Sequence, residues 1–313
     1  MAEARNDDDE IFVYMGGHQR VPDHVRRARI HKSVKIVRAR AFQSRQYLIS
    51  VEFHDGIEII EEWAFYFCTS LRGVKTLGVT IVKKCAFWGC ESMTAVEFGD
   101  KLEIIGESAF QRCRLLKSIR IPSVRTIGEG AFNRCYELSD VEFGEALTTL
   151  QRQTFNNCPK LKRIALPLKG DMIEEDVFAF CPKLKTVDLV GGIHQTVASL
   201  HMESWRNEMN NEIDRINQTL PTITVGKTPE IQLWMAKVIS SLDHYKAEHK
   251  ALLKEAATLL ELALWKANLD NGGGREGVRT TRGGRKRARA ESCVTSGASI
   301  VIKNVLPFLQ LVE

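Results

Sequence analysis

Ile105-Gly106-Glu107-Ser108-Ala109-Phe110-Gln111-Arg112-Cys113-Arg114-Leu115-Leu116-Lys117-Ser118-Ile119-Arg120-Ile121-Pro122 is followed, after four residues, by a variation on itself: Ile127-Gly128-Glu129-Gly130-Ala131-Phe132-Asn133-Arg134-Cys135-Tyr136-Glu137-Leu138-Ser139-Asp140-Val141-Glu142-Phe143-Gly144. Working outward from these two, Phe42, Phe65, Phe87, Phe110, Phe132, Phe155 and Phe178 form a series spaced 23, 22, 23, 22, 23 and 23 residues apart. A fixed period of that length is the signature of a repeat architecture. Ala precedes Phe in five of the seven, Cys follows three residues later in all but the first (where Arg45 stands), and Leu or Met follows after six. A β-branched residue recurs nine positions after Phe, from Val51 to Val187, and an apolar one five positions before it, from Val37 to Ile173.

The apolar, polar, apolar triplets such as Val96-Glu97-Phe98 and Val141-Glu142-Phe143 predict short strands with one buried face. The small and acidic residues before each Phe predict one helical turn. A single repeat is too small to bury its own Phe and Leu, so consecutive repeats must stack, with parallel strands about 4.8 Å apart. Alternate repeats differ by one residue in length, as a two-rung duplication would produce.

The pattern Ala-Phe-x-x-Cys-x-x-Leu-x-x-Val/Ile, with Ile-Pro on one rung and Ile-Gly-Glu before the next Ala-Phe, resembles the BspA-type class of leucine-rich repeats. The resemblance implies an α/β solenoid of seven to eight rungs of 22–23 residues over 33–190, with a strand face that binds other proteins. Bacterial members are surface adhesins, whereas the acidic leader Asp7-Asp8-Asp9-Glu10 makes this chain look more like the intracellular versions of microbial eukaryotes such as diatoms. Residues 1–32 are read as a cap and a degenerate rung, with Val25, Ala28 and Ile30 at strand positions and Ile11 to Tyr14 as the cap.

The period stops at Gly191-Gly192, and 191–270 reads as helical. Val197, Leu200, Trp205, Met209, Ile213, Ile216 and Leu220 mark a first helix. Thr228 and Pro229 then read as N-cap and first residue of a second, whose apolar residues from Ile231 to Ala263 alternate in steps of four and three. That second helix is either continuous or broken near Ser240-Ser241, and the pair forms either a hairpin or a coiled-coil homodimer through 229–269. Residues 271–291 read as a disordered Gly/Arg linker and 292–313 as an apolar tail.

Of 313 residues, 44% are hydrophobic and 27% charged, the balance of an ordinary globular protein. No run approaches the roughly 18 apolar residues of a membrane span. The leader lacks the apolar core of a secretory signal, so an intracellular location, cytoplasmic or nuclear, is expected. The net charge of +5 belongs to the stretch from Asn271 to Ala290, where seven Arg and Lys face a single Glu, leaving the remainder slightly acidic. Within it Arg285, Lys286, Arg287 and Arg289 fit a short nuclear-import signal, and weak nucleic-acid contact through the linker is the alternative function.

No catalytic motif and no cofactor or metal site stands out. The cysteines read as a buried ladder because six share one rung position and none forms Cys-x-x-Cys. Gly226-Lys227-Thr228 has the ending of a phosphate-binding loop, but Pro221 stands where its first glycine is needed. Asn217-Gln218-Thr219 is a glycosylation sequon in spelling only. The expected function is a noncatalytic scaffold binding an unidentified, acidic protein. Its candidate face combines a ladder of alternating sign (Lys75, Glu97, Arg120, Glu142), expected to neutralise itself, with a positive stripe of Arg72, Lys117, Lys162 and Lys185 joined by Arg163.

Overall fold

The computed structural model describes residues 11–190 and 202–272, with side chains to 267. The import-signal residues, the Gly/Arg linker from residue 273 on, the apolar tail and the leader lie outside the described residues.

Each rung contributes strands to two parallel arrays. The first holds β1 (Ile11–Tyr14), β2 (Arg27–Ile30), β4 (Ser50–Glu52), β6 (Gly73–Thr76), β8 (Ala95–Phe98), β10 (Ser118–Ile121), β12 (Asp140–Phe143), β14 (Arg163–Leu166) and β15 (Thr186–Leu189). The second is a six-stranded sheet of two-residue strands: β3 (Ile36–Val37), β5 (Ile59–Ile60), β7 (Ile81–Val82), β9 (Ile104–Ile105), β11 (Thr126–Ile127) and β13 (Thr149–Leu150). Register follows the repeat, Ile119 opposite Val141 and Val141 opposite Ile164, so each β-branched residue points inward against its neighbours. The first array is hydrogen-bonded in three segments, β1-β2-β4, β6-β8 and β10-β12-β14-β15.

The core is a spine of phenylalanines. Rings of Phe42 through Phe178 stack at centroid distances of 4.8 to 6.0 Å, and Tyr14 closes the first at 5.2 Å. Each ladder cysteine donates its thiol hydrogen to the Phe carbonyl of the preceding rung, as Cys113 does to Phe87 at 3.3 Å. The first rung has no such predecessor. There Arg45 takes the place of Cys and sends its guanidinium to the Val21 carbonyl at 2.6 Å and the Asp23 carboxylate at 2.8 Å.

In place of the expected helical turn before Phe, three overlapping β-turns run through it, as at 106–109, 108–111 and 110–113. Two positions per rung, two before and two after Phe, have left-handed backbone: Ser108 (φ 52°) and Arg112 (φ 62°), then Gly130 (φ 60°) and Arg134 (φ 62°). This alternation aims every second N–H along the stacking direction. Ser108, Phe110 and Arg112 donate to the Glu129, Ala131 and Asn133 carbonyls of the next rung at 2.8 to 2.9 Å. Such bonds, worth about 1 kcal/mol each, offset left-handed non-glycine residues costing about 1 kcal/mol or more apiece.

After the solenoid, α1 (Glu203–Thr219) buries Trp205, Met209, Ile213 and Ile216, and α2 (Lys227–Gly272) runs unbroken through Ser240-Ser241. The α1 helix packs on the first turns of α2: Trp234 Nε1 donates to the Glu212 carbonyl at 3.1 Å, and the Glu212 carboxylate meets Lys237 at 2.6 Å and Arg215 at 3.0 Å. Burial works to raise the Glu212 pKa, but these two cations outweigh it and hold the carboxyl below its usual range. Glu212→Gln should therefore cost about 1.5 kcal/mol at neutral pH. That contribution is complete above the unfolded carboxylate pKa and is lost as pH falls through the lower folded value, so the variant and parent should converge in acid urea titrations. From Ser240 onward α2 belongs to a second compact unit, where Leu252, Leu259, Leu262 and Trp265 are exposed.

Candidate functional site

The ladder of alternating sign is self-paired in the structure. Arg29 reaches Glu52 at 2.5 Å, Lys75 reaches Glu97 at 2.9 Å, Arg120 reaches Glu142 at 3.2 Å, and Arg163 reaches Asp188 at 2.5 Å and Asp140 at 3.3 Å. Every one of these pairs falls inside one hydrogen-bonded segment of the first array; adjacent strands hold the two side chains at the same level in each except Arg163–Asp188, where Arg163 stands opposite Thr186 and reaches diagonally to Asp188. Lys75, Glu97, Arg120, Glu142 and Arg163 are thus already occupied, and exposed pairs of this kind contribute about 0–1 kcal/mol each.

Immediately ahead of β6, β10, β14 and β15, three residues before the ladder positions, Arg72, Lys117, Lys162 and Lys185 are exposed, and among the described residues none has an acidic partner. Thr94 and Ser139 stand on the rungs between, their hydroxyls donating to the Arg72 carbonyl at 3.2 Å and the Lys117 carbonyl at 3.1 Å. Three of the cations consequently recur every second rung, roughly 9–10 Å apart. The Lys185 amide then donates to the Lys162 carbonyl one rung on, at 3.1 Å, so the stripe ends on adjacent cations.

The rear of the solenoid is closed by residues whose roles differ from those their sequence suggested. Thr228 does not cap its own helix, which already includes Lys227; its Oγ1 accepts the Phe178 N–H at 2.8 Å. In every earlier rung that N–H goes to the next rung's turn. Lys227, buried without a carboxylate among the described residues, donates Nζ to the Pro182 carbonyl at 3.0 Å and to that of Leu184. Burial lowers its pKa. Asn217 Oδ1 accepts the Val187 N–H at 2.9 Å, and Gln232 Nε2 donates to the Ile173 carbonyl at 2.7 Å. The phosphate-loop and sequon spellings are thus the polar end-cap of the last rung, legible only once the rung lacking a successor is known.

All described cysteines are free thiols, and burial pushes the Cys68 thiol up to about 12. Among the described residues no group of three or more His, Cys, Asp or Glu is placed to hold a metal ion, and no helix is long and apolar enough to cross a membrane.

Comparison with known proteins places this geometry in a family. The solved structures similar to the chain include a leucine-rich repeat protein of T. pallidum (27% identity over 43% of this chain and 63% of that one, TM-score 0.41). Others are one of Bacteroides ovatus (26%, 59% and 47%, TM-score 0.48) and a leucine-rich cell surface protein of Faecalibacterium prausnitzii (27%, 59% and 51%, TM-score 0.44). The chain thus spans about half to three fifths of the length of these proteins. Among curated proteins none matches. The family model for the BspA type leucine rich repeat region matches in 6 copies over residues 24–77 and 80–208, more than half of the sequence, and the chain is a member of the BspA-type leucine-rich repeat family.

Proposed function

We propose that the chain is a noncatalytic scaffold that binds a protein partner across its strand face, with Arg72, Lys117, Lys162 and Lys185 receiving acidic side chains. The observation that carries this reading is the contrast between two rows of the repeat, one on the strands that is neutralised by internal ion pairs and one just ahead of the strands that is left as four cations without acidic partners among the described residues. The repeat family, whose solenoids typically serve as interaction scaffolds, supports it. Rim cations of this kind speed association and set specificity more than they add affinity, and salt screens them. The nucleic-acid reading rests on the linker, outside the described residues.

The test is an affinity pull-down on the full chain, native against Lys117→Glu/Lys162→Glu/Lys185→Glu. Because the three side chains are exposed and have no acidic partner among the described residues, stability should stay within about 0.5 kcal/mol of the parent. The reading expects at least one acidic protein retained by the native chain, released by salt and lost from the variant. An identical set of retained proteins from both chains would refute it.

A further inference from the structure

The turn stack has a direction. In each rung the N–H groups two before Phe, at Phe and two after it point towards the following rung, and the carbonyls between them point back. One end therefore presents donors and the other acceptors. At the rear the central donor, Phe178 N–H, is already taken by Thr228. At the front the acceptors are the carbonyls of Ala39, Ala41 and Gln43. Among the described residues no backbone amide reaches any of them, and only the Gln43 carbonyl has a side-chain donor, Arg45 Nη1 at 3.0 Å.

The gap has a covalent cause. The link Met15–Arg26 between β1 and β2 is much shorter than the Pro122–Ser139 link between β10 and β12, so it contributes no second-array strand and no full turn. Tyr14 covers the Phe42 ring, but among the described residues no backbone strand pairs with the turn beside it. What results is a concavity of about 930 Å³ walled by Gly17, Arg20, Arg38, Arg40, Ala41 and Gln43. Its charge is positive. Among the described residues Arg20 has no acidic partner, and Arg38 meets only Glu61, at 3.8 Å. That carboxylate is already shared with Lys83 at 3.7 Å and the Ala39 N–H at 3.0 Å. Arg40 places its guanidinium carbon 4.9 Å from the centroid of the Trp63 ring and has no acidic partner among the described residues.

We propose that this front edge of the turn stack is a second docking site, separate from the strand face, which takes an acidic extended peptide of another protein as an added rung. The occupant must supply N–H donors on alternate residues to meet the carbonyl row and carboxylates to meet Arg20, Arg38 and Arg40, so backbone addition gives the affinity and charge the selectivity. A second copy of this chain is a poor fit, because the central donor of its matching end is closed by Thr228.

A random dodecapeptide display library, panned on the full chain and counter-selected on Arg20→Ala/Arg38→Ala, provides the probe. Sequences enriched in Asp and Glu are expected, binding at least tenfold more weakly to that variant and equally well to Lys117→Glu/Lys162→Glu/Lys185→Glu. The best peptide, resynthesised with N-methyl groups on alternate residues, should lose at least tenfold in affinity for the native chain, although its charge is unchanged. Retained affinity after methylation in both alternate registers would overturn the added rung. Peptides lost only from the lysine variant would overturn the edge site while leaving the strand face standing. No edge-dependent enrichment, the outcome if the chain's own residues 1–10 fill the concavity, would overturn it as well.

Discussion

Phe110→Ala should lower the unfolding free energy by about 3–5 kcal/mol, the range for a fully buried aromatic truncated to its Cβ. The ring is completely buried and lies between those of Phe87 at 5.1 Å and Phe132 at 5.4 Å, with the Phe98 edge at 6.0 Å. Collapse around the void is blocked, because the backbone on either side is pinned: Phe110 N–H donates to the Ala131 carbonyl at 2.8 Å, and the Phe110 carbonyl accepts from Cys135 at 3.2 Å. A middle rung also couples the two halves of the stack, so the loss is felt across both interfaces. Cys113→Ala removes only a sulfur and one weak hydrogen bond to the Phe87 carbonyl, and should cost about 1 kcal/mol. Urea denaturation of both variants against the parent is the measurement. Equal stability of all three would mean that the Phe series is not the spine of the core.

What the sequence revealed of this fold came from side chains that repeat because each meets its own copy in the next rung. Phe, Cys, Leu and the β-branched positions are of that kind, so register and strand positions followed from spacing alone. The left-handed turn positions were illegible because residues as different as Arg112, Trp63, Gln153 and Gly130 share one backbone conformation. There the stack's hydrogen bonds impose the conformation, and local preference is overridden. The ladder was half legible. Its alternating sign was visible in Glu52, Lys75, Glu97, Arg120 and Glu142, but the pairing depends on which strands are hydrogen-bonded, and β4 to β6 and β8 to β10 are not. The caps were the least legible. Thr228, Lys227 and Asn217 act once each, at a position defined by what is missing beyond it, and a feature used once leaves no period to detect. The front edge is hidden for the same reason: it is the absence of a rung, expressed only as a link too short to make one.

Close backbone approach at the corner after the strand yields the second large effect: Gly144→Ala should destabilise by about 3 kcal/mol, at the upper end of overpacking costs. An added Cβ at Gly144 would sit 1.9 Å from the Pro122 carbonyl oxygen, 2.7 Å from its carbon and 2.9 Å from Pro122 Cα, all backbone atoms of the neighbouring rung. No side chain is available to swing aside. Relief would require β10 and β12 to separate where Ile121 pairs with Phe143, or the corner at Pro122 to shift against a ring that fixes its φ. The same approach recurs two rungs earlier, where Gly99 would bring a Cβ within 2.2 Å of the Leu77 carbonyl oxygen, and on the rung before that, where Gly78 would bring one within 1.9 Å of the Asp55 carbonyl oxygen, so the corner is a repeated device of the stack. Gly144 does not have a positive φ, which makes the expected cost one of contact and not of backbone conformation. Gly17 supplies the converse control: its φ is +64° and nothing lies within 4 Å of its would-be Cβ, so Gly17→Ala carries only the conformational penalty of about 1 kcal/mol. Urea titrations should thus rank the parent above Gly17→Ala and Gly17→Ala well above Gly144→Ala. A Gly144→Ala protein as stable as the parent would show that the rungs are not held at this spacing.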